Sequence, residues 1–547
     1  MNNRSKAWIP LAAAIALALG MWLGYLLAGG NKLTPAQQKL NNILALIRNE
    51  YVDTISDDSL VEMAIPMLIK NLDPHSLYIP LGDTEKANRD IESSFYGIGV
   101  QFQLMNDSVY VVEVVSGGPA ERVGLLAGDR IIEADGHSLT GSNVTNDDVM
   151  STLRGALGSK VTIKVKRNTS KRPLKFEITR AEIPSVSVDV AYMIEPTTGY
   201  LRLNKFAANT FAEFLQSINS LRVKGAKNYI IDLRGNTGGL LDQAILIANE
   251  FLPAMRQIVS VKGRHEDENT TWIADGTGAF GNEQLVLLVD EFTASSSEIV
   301  AGAIQDNDRG LLIGRRTFGK GLVQRQIVLP DSSQVRLTVQ RYYTPSGRCI
   351  QKLYTRGAND DYQSEILERY ANGEIFNADS IKIDARNIFK TSMGRTVYGG
   401  GGIIPDKFVP SDTTGVTGYY LEVMNAGIIN KFAYEYADLN RSELEKCKTT
   451  AALLKKLPPD AVLLDAFVNY AAENGVHKRW YYISQSSKLI ISQLKALIAR
   501  DILGMTSYFE IINKMDPVVE EALRAINTGI EKELEKSLDS KSLNKRK

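Results

Sequence analysis

Between residues 228 and 314 the sequence alternates short, continuously apolar runs with segments of helical periodicity. The apolar runs are NYIIDL (228–233), QLVLLV (284–289) and GLLIG (310–314), and helical patterns lead to Phe251 and begin at Ser296. Strands that are apolar throughout are buried on both faces, and strands that alternate with helices form parallel sheets. The pattern therefore predicts an α/β core with parallel strands and crossover helices over residues 186–411, with a charged, irregular excursion at 355–395.

The chain has 547 residues, which is too long for one ordinary core. Apolar residues have helical spacing near the N-terminus and again in the C-terminal part of the chain. Short strands with Gly-rich turns lie between the N-terminal helical pattern and the α/β core. We therefore predict a multidomain α/β protein. Its other segments are a transmembrane anchor or signal segment (1–30), an N-terminal helical module (31–88), a β-rich domain (89–185) and a C-terminal helical region (412–547).

The N-terminal segment Trp8–Ala28 is an uncharged, mostly apolar run of 21 residues that follows Arg4 and Lys6. Its length suits a hydrocarbon core of about 30 Å, and basic residues before such a span keep that end in the cytoplasm. A cleaved signal peptide is the alternative, although its apolar part is usually shorter. Either way, we expect the chain after Gly30 in the periplasm or another extracytoplasmic space, attached to the inner membrane through residues 8–28 or released.

The composition excludes several kinds of site. Lys plus Arg and Asp plus Glu are equal at 63 each, so no overall charge favours nucleic acid. The two cysteines, Cys349 and Cys447, and the four scattered histidines do not form the spacing of a disulfide framework or a zinc site. We therefore expect no metal centre, and the Ser–Lys arrangement considered below needs no organic cofactor.

The segment 293–324 holds three consecutive serines and a lysine between two glycines. The run GRRTFGK (314–320) has the spacing of a phosphate-binding P-loop, but Gly321 occupies the position where that loop needs Ser or Thr to hold magnesium. This position argues against a nucleotide site.

Two interpretations of the serines stay open from the residues alone. Ser295 and Glu298 fit a capping box at the start of a helix, which gives no role to Lys320. Alternatively, Ser295 is a nucleophile and a buried, neutral Lys320 accepts its proton, an arrangement that needs no histidine.

The same stretch resembles the Ser–Lys core of the C-terminal processing peptidases, or tail-specific proteases. Their S-A-S-A-S-E motif is similar to TASSSE (293–298), and their F-G-K-G-x-V-Q motif is similar to FGKGLVQ (318–324). The resemblance implies that Ser295 is the nucleophile, that Lys320 is the base and that Gln324 orients the lysine.

Other segments extend the resemblance over about residues 35–410. DLRGNTGG (232–239) is similar to the family's glycine turn, which implies an oxyanion hole formed by the amide of Gly238 or Gly239 together with that of Ser296. RYYTPSGRCIQ (341–351) and residues 399–406 are similar to core segments, and LDPHS (72–76) is similar to an entry region in which His75 is structural.

The β-rich segment resembles a PDZ domain, with YGIGVQF (96–102) as the carboxylate-binding loop and strand. Such a loop holds a peptide's terminal carboxylate while the peptide adds a strand to the sheet edge. The implied peptide-binding residues are Gly97, Ile98, Gly99, Val100 and Phe102, and also Arg154, which either couples the domain to the active site or is simply solvated.

Together these similarities imply a serine endopeptidase that cleaves exported proteins recognised by an exposed C-terminus. The alternatives are a non-catalytic PDZ scaffold or chaperone that retains the fold, and a protease that a partner must activate. A homodimer or an adaptor protein is a further expectation for the partners.

Overall fold

The computed structural model describes residues 8–27, 33–84, 87, 94–105, 108–115, 117–167, 169–357, 359–384 and 386–543. The chain divides into two compact units, residues 1–72 and 73–547. The first unit contains helices α1 (Ile9–Leu27), α2 (Pro35–Glu50) and α3 (Asp57–Lys70). The side chain of Thr34 accepts a hydrogen bond from the backbone of Gln37, whose side chain binds the Thr34 amide, and this capping box starts α2.

Helices α2 and α3 confirm the helical pattern predicted for the N-terminal module. Among the described residues, no helix is both long enough and apolar enough to cross a membrane. The anchor expected over Trp8–Ala28 stays a prediction, and Ala28 lies outside the described residues.

The second unit begins with strand β1 (Leu77–Ile79), which corrects the expectation that residues 31–88 are purely helical. The β-rich domain that resembles a PDZ domain, called the PDZ domain below, follows. Its elements are β2 (Ser94–Gly97), β3 (Val100–Met105), β4 (Ser108–Val114), α4 (Pro119–Arg122), β5 (Arg130–Ala134), β6 (His137–Ser138), α5 (Asn146–Leu153), β7 (Lys160–Lys166), β8 (Leu174–Thr179) and β9 (Ala181–Pro184). The strand order is β3-β4-β5-β7-β8, so β3 is an edge strand, and β2 pairs with β9 where the chain enters and leaves the domain.

The α/β core contains two larger sheets. Its elements are β10 (Val188–Glu195), β11 (Thr198–Leu203), α6 (Thr210–Val223), β12 (Asn228–Asp232), α7 (Leu241–Asn249), β13 (Gln257–Gly263), β14 (Thr270–Ile273), β15 (Gln284–Val289), α8 (Ser296–Asp306), β16 (Leu311–Gly314), β17 (Leu322–Val328), β18 (Gln334–Tyr343), α9 (Asn359–Ala371), β19 (Ile388–Lys390), β20 (Thr396–Tyr398) and β21 (Lys407–Phe408). The first sheet has the order β10-β11-β12-β15-β16-β21, and all its pairs except β10–β11 are parallel. This confirms the predicted α/β core.

The second sheet was not predicted. It is antiparallel, and β18 is its central strand. β18 pairs with β17 along one edge and with β1 and β13 along the other, and β13 pairs in turn with β14. The excursion expected to be irregular at 355–395 contains α9 and β19, so that part of the prediction is wrong.

The C-terminal region is helical, as predicted. It contains α10 (Gly418–Asn425), α11 (Ile428–Leu444), α12 (Thr450–Lys456), α13 (Asp460–Glu473), α14 (Trp480–Leu503), α15 (Met505–Ile512), α16 (Pro517–Thr528) and α17 (Ile530–Leu543). Helices α10 to α15 surround a core of their own. On one face of the first sheet, Leu287 packs with helices α6 to α8, and on the other face Leu288 packs with Val519 and Ala522 of α16. The C-terminal region therefore covers the face of the parallel sheet that the crossover helices leave open.

The same region contacts the PDZ domain. Tyr434 of α11 stacks on Tyr110 of β4, with ring centroids 5.9 Å apart, and the Arg441 guanidinium donates to the carbonyl oxygen of Ala127 at 2.9 Å. One helical region thus packs against both the PDZ domain and the α/β core. The exact limits predicted for the five segments stay predictions.

Candidate active site

A cleft of about 1110 Å³ lies at the carboxyl ends of β12 and β15. Parallel α/β sheets bind ligands at this edge because loops from several strands meet there. The cleft brings together all six residues predicted for the catalytic site, which are Ser295, Lys320, Gln324, Gly238, Gly239 and Ser296.

Ser295 lies in a strained turn between β15 and α8. Its backbone has φ 55° and ψ −118°, a conformation that non-glycine residues rarely adopt and that often marks a functional site. The hydroxyl of Ser296 donates to the carbonyl of Gly239 at 2.8 Å, and that of Ser297 donates to the carbonyl of Asn236 at 3.0 Å. Of the three serines, Ser296 and Ser297 thus use their hydroxyls to hold the turn, and Ser295 lines the cleft.

The glycine turn after β12 packs directly against this serine. A Cβ atom on Gly238, where φ is 97°, would lie 2.7 Å from Ser295 Cβ and 2.8 Å from the amide nitrogen of Ser296, so no larger residue fits. The amide of Gly238 already donates to Asn236 Oδ1 at 2.9 Å. In the part of the chain that the structure describes, no hydrogen bond engages the amides of Gly239 and Ser296. Of the two glycines, the geometry therefore favours Gly239 as the donor.

Lys320 lies in the loop between β16 and β17 and reaches the cleft beside Gln324. Its Nζ donates to Gln324 Oε1 at 3.2 Å, and Gln324 Nε2 donates to the carbonyl of His75 at 2.6 Å. The amide group of Gln324 is thus fixed by a backbone atom and fixes the lysine in turn. The hydroxyl of Tyr342 lies 3.0 Å from the carbonyl oxygen of Ser295 and also contacts that of Lys320, so it ties the two segments together.

The surroundings of Lys320 favour its neutral form. Burial lowers the pKa of this ammonium, and the positive charge of Arg336 lowers it further, whereas Glu298 and Asp73 raise it. Burial also lowers the pKa of the neighbouring His75 imidazole, to about 4, so this group carries no charge at physiological pH. The site therefore holds a lysine that can accept a proton nearer to neutrality than an exposed lysine can.

Several residues of the cleft were not found by sequence reasoning. Arg336 and Tyr342 come from β18, and Trp272 comes from β14, so they belong to the antiparallel sheet that was not predicted. Tyr342 lies within the segment 341–351 noted above, and this was the one available signal.

The residues predicted to bind a peptide lie together in the PDZ domain. Gly99 has φ 78°, and within the described residues no hydrogen bond engages the amides of Ile98 and Gly99. Val100 and Phe102 share one half-buried face of β3 and pack against the domain core. The open edge of β3 and the free amides are the features that a PDZ domain uses for a C-terminal peptide.

Arg154 ends helix α5 and packs next to the loop. Its guanidinium lies over the ring of Phe95, 4.1 Å from the centroid, and a Cβ atom on Gly97 would lie 3.6 Å from Arg154 Cγ. The arginine is therefore part of the loop's packing rather than simply solvated. Whether it couples the loop to the cleft stays a prediction.

Three family models match the chain. Residues 197–364 match peptidase family S41, residues 97–178 match the PDZ domain, and residues 419–504 match a family of unknown function, DUF8443. Among solved structures, the photosystem II D1 C-terminal processing protease matches 58% of this chain and 90% of its own, with 28% identity and a TM-score of 0.32.

Relatives with similar sequences carry protease names. The carboxy-terminal-processing protease of Bartonella bacilliformis is 37% identical over 321 residues, which cover 57% of this chain and 72% of that protein. The "Probable CtpA-like serine protease" of Staphylococcus aureus is 29% identical over 395 residues, which cover 72% of this chain and 78% of that protein. The chain therefore belongs to the carboxy-terminal-processing protease family, peptidase family S41, and is a serine-type peptidase with a PDZ domain.

Proposed function

We propose that this peptidase uses Ser295 as its nucleophile and Lys320 as its general base, and that Gln324 orients the lysine. The observation that carries this proposal is the cleft itself, which is lined both by a serine in a strained turn and by a largely buried lysine. The acceptor of the Lys320 hydrogen bond is the amide oxygen of Gln324, which carries no charge. It therefore orients Lys320 but stabilises the ammonium form less than a carboxylate would.

The chemistry proceeds in two halves. Neutral Lys320 takes the proton of the Ser295 hydroxyl while the serine oxygen bonds to the carbonyl carbon of the substrate, and the carbonyl oxygen becomes an oxyanion. When the C–N bond breaks, the leaving amine takes the proton from the lysine. In the second half Lys320 takes a proton from water, the hydroxide oxygen attacks the ester, and Ser295 recovers its proton as the new C-terminus leaves.

The oxyanion is held by backbone amides of Gly239 and Ser296. Both amides are unoccupied in the described structure, and Ser296 is the first residue of α8, whose amide end carries a partial positive charge. Gly238 contributes by allowing the turn to pack against Ser295 rather than by donating.

The walls of the cleft indicate which bonds are cleaved. Part of the cleft lining is apolar and comes from Leu241, Ile245, Trp272, Ile299 and Leu322. An apolar substrate side chain next to the scissile bond loses its contact with water there, and each buried methylene group contributes about 0.8 kcal/mol. We therefore expect cleavage after apolar residues.

The PDZ domain supplies the substrate. A protein with an exposed C-terminus places its carboxylate on the amides of Ile98 and Gly99 and pairs its last residues with the open edge of β3. The non-catalytic scaffold is not favoured, since the relatives are named as proteases. Activation by a partner, a homodimer and an adaptor stay predictions.

We also propose that the enzyme works outside the cytoplasm, next to the membrane. The support is the apolar segment 8–28 after two basic residues. Protease added to intact spheroplasts should degrade the part of the chain after residue 30, whereas protection of that part would contradict this placement.

The test of the Ser–Lys chemistry compares the purified full chain with Ser295→Ala and Lys320→Ala on an unfolded protein with an apolar C-terminus. We expect no fragments with the serine variant and a turnover at least about 100-fold lower with the lysine variant, because general-base catalysis is worth about 100- to 10,000-fold. Ser297→Ala is the matched control, since its hydroxyl only holds the turn. Turnover close to that of the parent with Lys320→Ala would contradict the base assignment.

A further inference from the structure

The side chain of Glu298 is completely buried next to the cleft. Glu298 lies in the first turn of α8, and it faces both the Ser295 turn and the loop that carries Lys320. An ionised carboxylate without partners in such a position would be very costly, so its hydrogen bonds show what it does.

Four donors converge on this carboxylate. Oε2 accepts from the backbone amide of Ser295 at 2.9 Å and from that of Lys320 at 2.9 Å. Oε1 accepts from the amide of Gly319 at 2.8 Å and from the hydroxyl of Thr317. A helix cap explains only the first of these bonds, because the other three donors come from the segment 317–320.

The bonds to Oε2 set the spacing of the two segments. Because the amide nitrogens of Ser295 and Lys320 each lie 2.9 Å from the same oxygen, they are at most 5.8 Å apart. The Tyr342 hydroxyl contacts the carbonyl oxygens of the same two residues. The serine and the lysine are thus held together on the amide side by Glu298 and on the carbonyl side by Tyr342.

We propose that Glu298 is a positioning residue, which holds Ser295 in its strained backbone conformation and keeps Lys320 within reach of it. This inference rests on the proposed Ser–Lys chemistry. The ionised carboxylate satisfies all four donors at once. Burial raises the pKa of Glu298 to about 7, and the hydrogen bonds from Thr317 and from the three amides act in the opposite direction.

The negative charge of Glu298 also acts on the lysine. Lys320 is faced by Glu298 and Asp73, which raise its pKa, and by Arg336, which lowers it. Replacing Glu298 by an uncharged residue should therefore lower the pKa of Lys320. A loss of packing alone would reduce the amount of active enzyme without moving the pH profile.

The first variant is Glu298→Gln, which keeps the shape but turns one acceptor into an NH2 group that meets two of the four donors. We expect kcat to fall about 100-fold, as for a misplacement of about 1 Å, with little change in KM. The acid limb of kcat/KM, measured between about pH 5 and about pH 9, should move to lower pH.

Glu291→Gln is the matched control. Glu291 is also a buried glutamate, but its carboxylate binds Arg315 at 2.7 Å and Tyr370 at 2.8 Å, and neither residue lines the cleft. We expect this variant to keep the kcat and the pH profile of the parent. A kcat and a pH profile like those of the parent in Glu298→Gln would overturn the proposal.

If Glu298→Gln does not fold, Thr317→Val removes one of the four donors and leaves the carboxylate in place. We expect a smaller loss, about tenfold in kcat, and an unchanged kcat would overturn the proposal. Ser295→Ala and Lys320→Ala distinguish failure of the Ser–Lys chemistry from failure of the positioning role of Glu298. If either keeps full turnover, the Ser–Lys chemistry fails and the role of Glu298 fails with it, whereas loss in both with full kcat in Glu298→Gln contradicts only the positioning role.

Discussion

Replacing Asp501 by Asn should stabilise the C-terminal region above neutral pH. Asp501 of α14 and Asp438 of α11 share one guanidinium, that of Arg441, at 3.0 Å and 3.3 Å. Within the described residues, Asp501 Oδ1 and Asp438 Oδ2 accept no hydrogen bond, although both side chains are buried. Two buried carboxylates with one close cation leave one negative charge poorly compensated.

The magnitude follows from the protonation of Asp501. Burial and the charge of Asp438 raise the pKa of Asp501 from 3.8 to about 7, while Arg441 and Arg500 act in the opposite direction. Because the folded state then binds a proton that the unfolded state releases, stability falls as pH rises from about 4 to about 7. A difference of about three pKa units corresponds to about 4 kcal/mol. An Asn side chain carries no charge and avoids this loss.

Hydrogen exchange measured by mass spectrometry tests this, since the protection of α11 and α14 reports their local opening free energy. We expect the opening free energies of Asp501→Asn and of the parent to be equal at about pH 4. At about pH 8 the opening free energy of the variant should be higher by up to about 4 kcal/mol. The exposed Asp465→Asn serves as the control and should show no such difference. If the parent gained protection free energy between these pH values, the reasoning would be refuted.

Three other substitutions test the turn, the PDZ loop and the core. Gly239→Ala should abolish activity and lower the melting temperature, because its Cβ would lie 2.1 Å from the carbonyl oxygen of Phe206 at a φ of 146°; activity like that of the parent would contradict the turn geometry. Phe102→Asp should remove the preference for substrates with an apolar C-terminus and leave cleavage of a short peptide unchanged, as measured by competition between the two. Arg234→Met should destabilise the protein by about 3–5 kcal/mol in thermal unfolding, because Asp232 is fully buried; a loss below about 1 kcal/mol would show that the remaining partners suffice.

The parallel sheet was predictable because its strands are apolar on both faces. A run such as QLVLLV (284–289) has no polar side to leave in water, so the pattern alone requires cover on both faces. The crossover helices supply one cover. The sequence could not show that the other is α16 (Pro517–Thr528), because that helix lies more than 200 residues farther along the chain and no local pattern links it to the strands.

Helix α9 (Asn359–Ala371) was missed for a different reason. Its inner face is held by charge rather than by an apolar stripe. Arg369 is buried and donates to the carbonyl oxygens of Arg316, Thr317 and Phe318, and Glu365 binds Lys352 and Arg369. A charged segment with buried ion pairs looks like a solvated one in the sequence, since only the folded structure shows which charges are paired.

In the cleft, the residue types could be predicted, but their spatial relations could not. Ser295 and Lys320 are recognisable from their motifs, whereas the sequence pattern around Glu298 predicts only a helix cap. Its other three hydrogen bonds join segments about 20 residues apart, and such contacts leave no local signal. The choice of Gly239 over Gly238 likewise depends on a hydrogen bond to Asn236.

The proposed mechanism requires the cleft to keep Lys320 deprotonated beside Glu298, a carboxylate that favours the ammonium form. Burial has the largest effect on the pKa of Lys320 and lowers it, and Arg336 adds to this effect, while Glu298 opposes both. The charge that we propose holds the lysine in place therefore works against its use as a base, and desolvation has to outweigh it. In the proposed mechanism, a bound polypeptide would remove further water from the cleft and so add to the desolvation that already lowers the pKa of Lys320. We therefore expect the pKa of Lys320 to fall further when the cleft is filled.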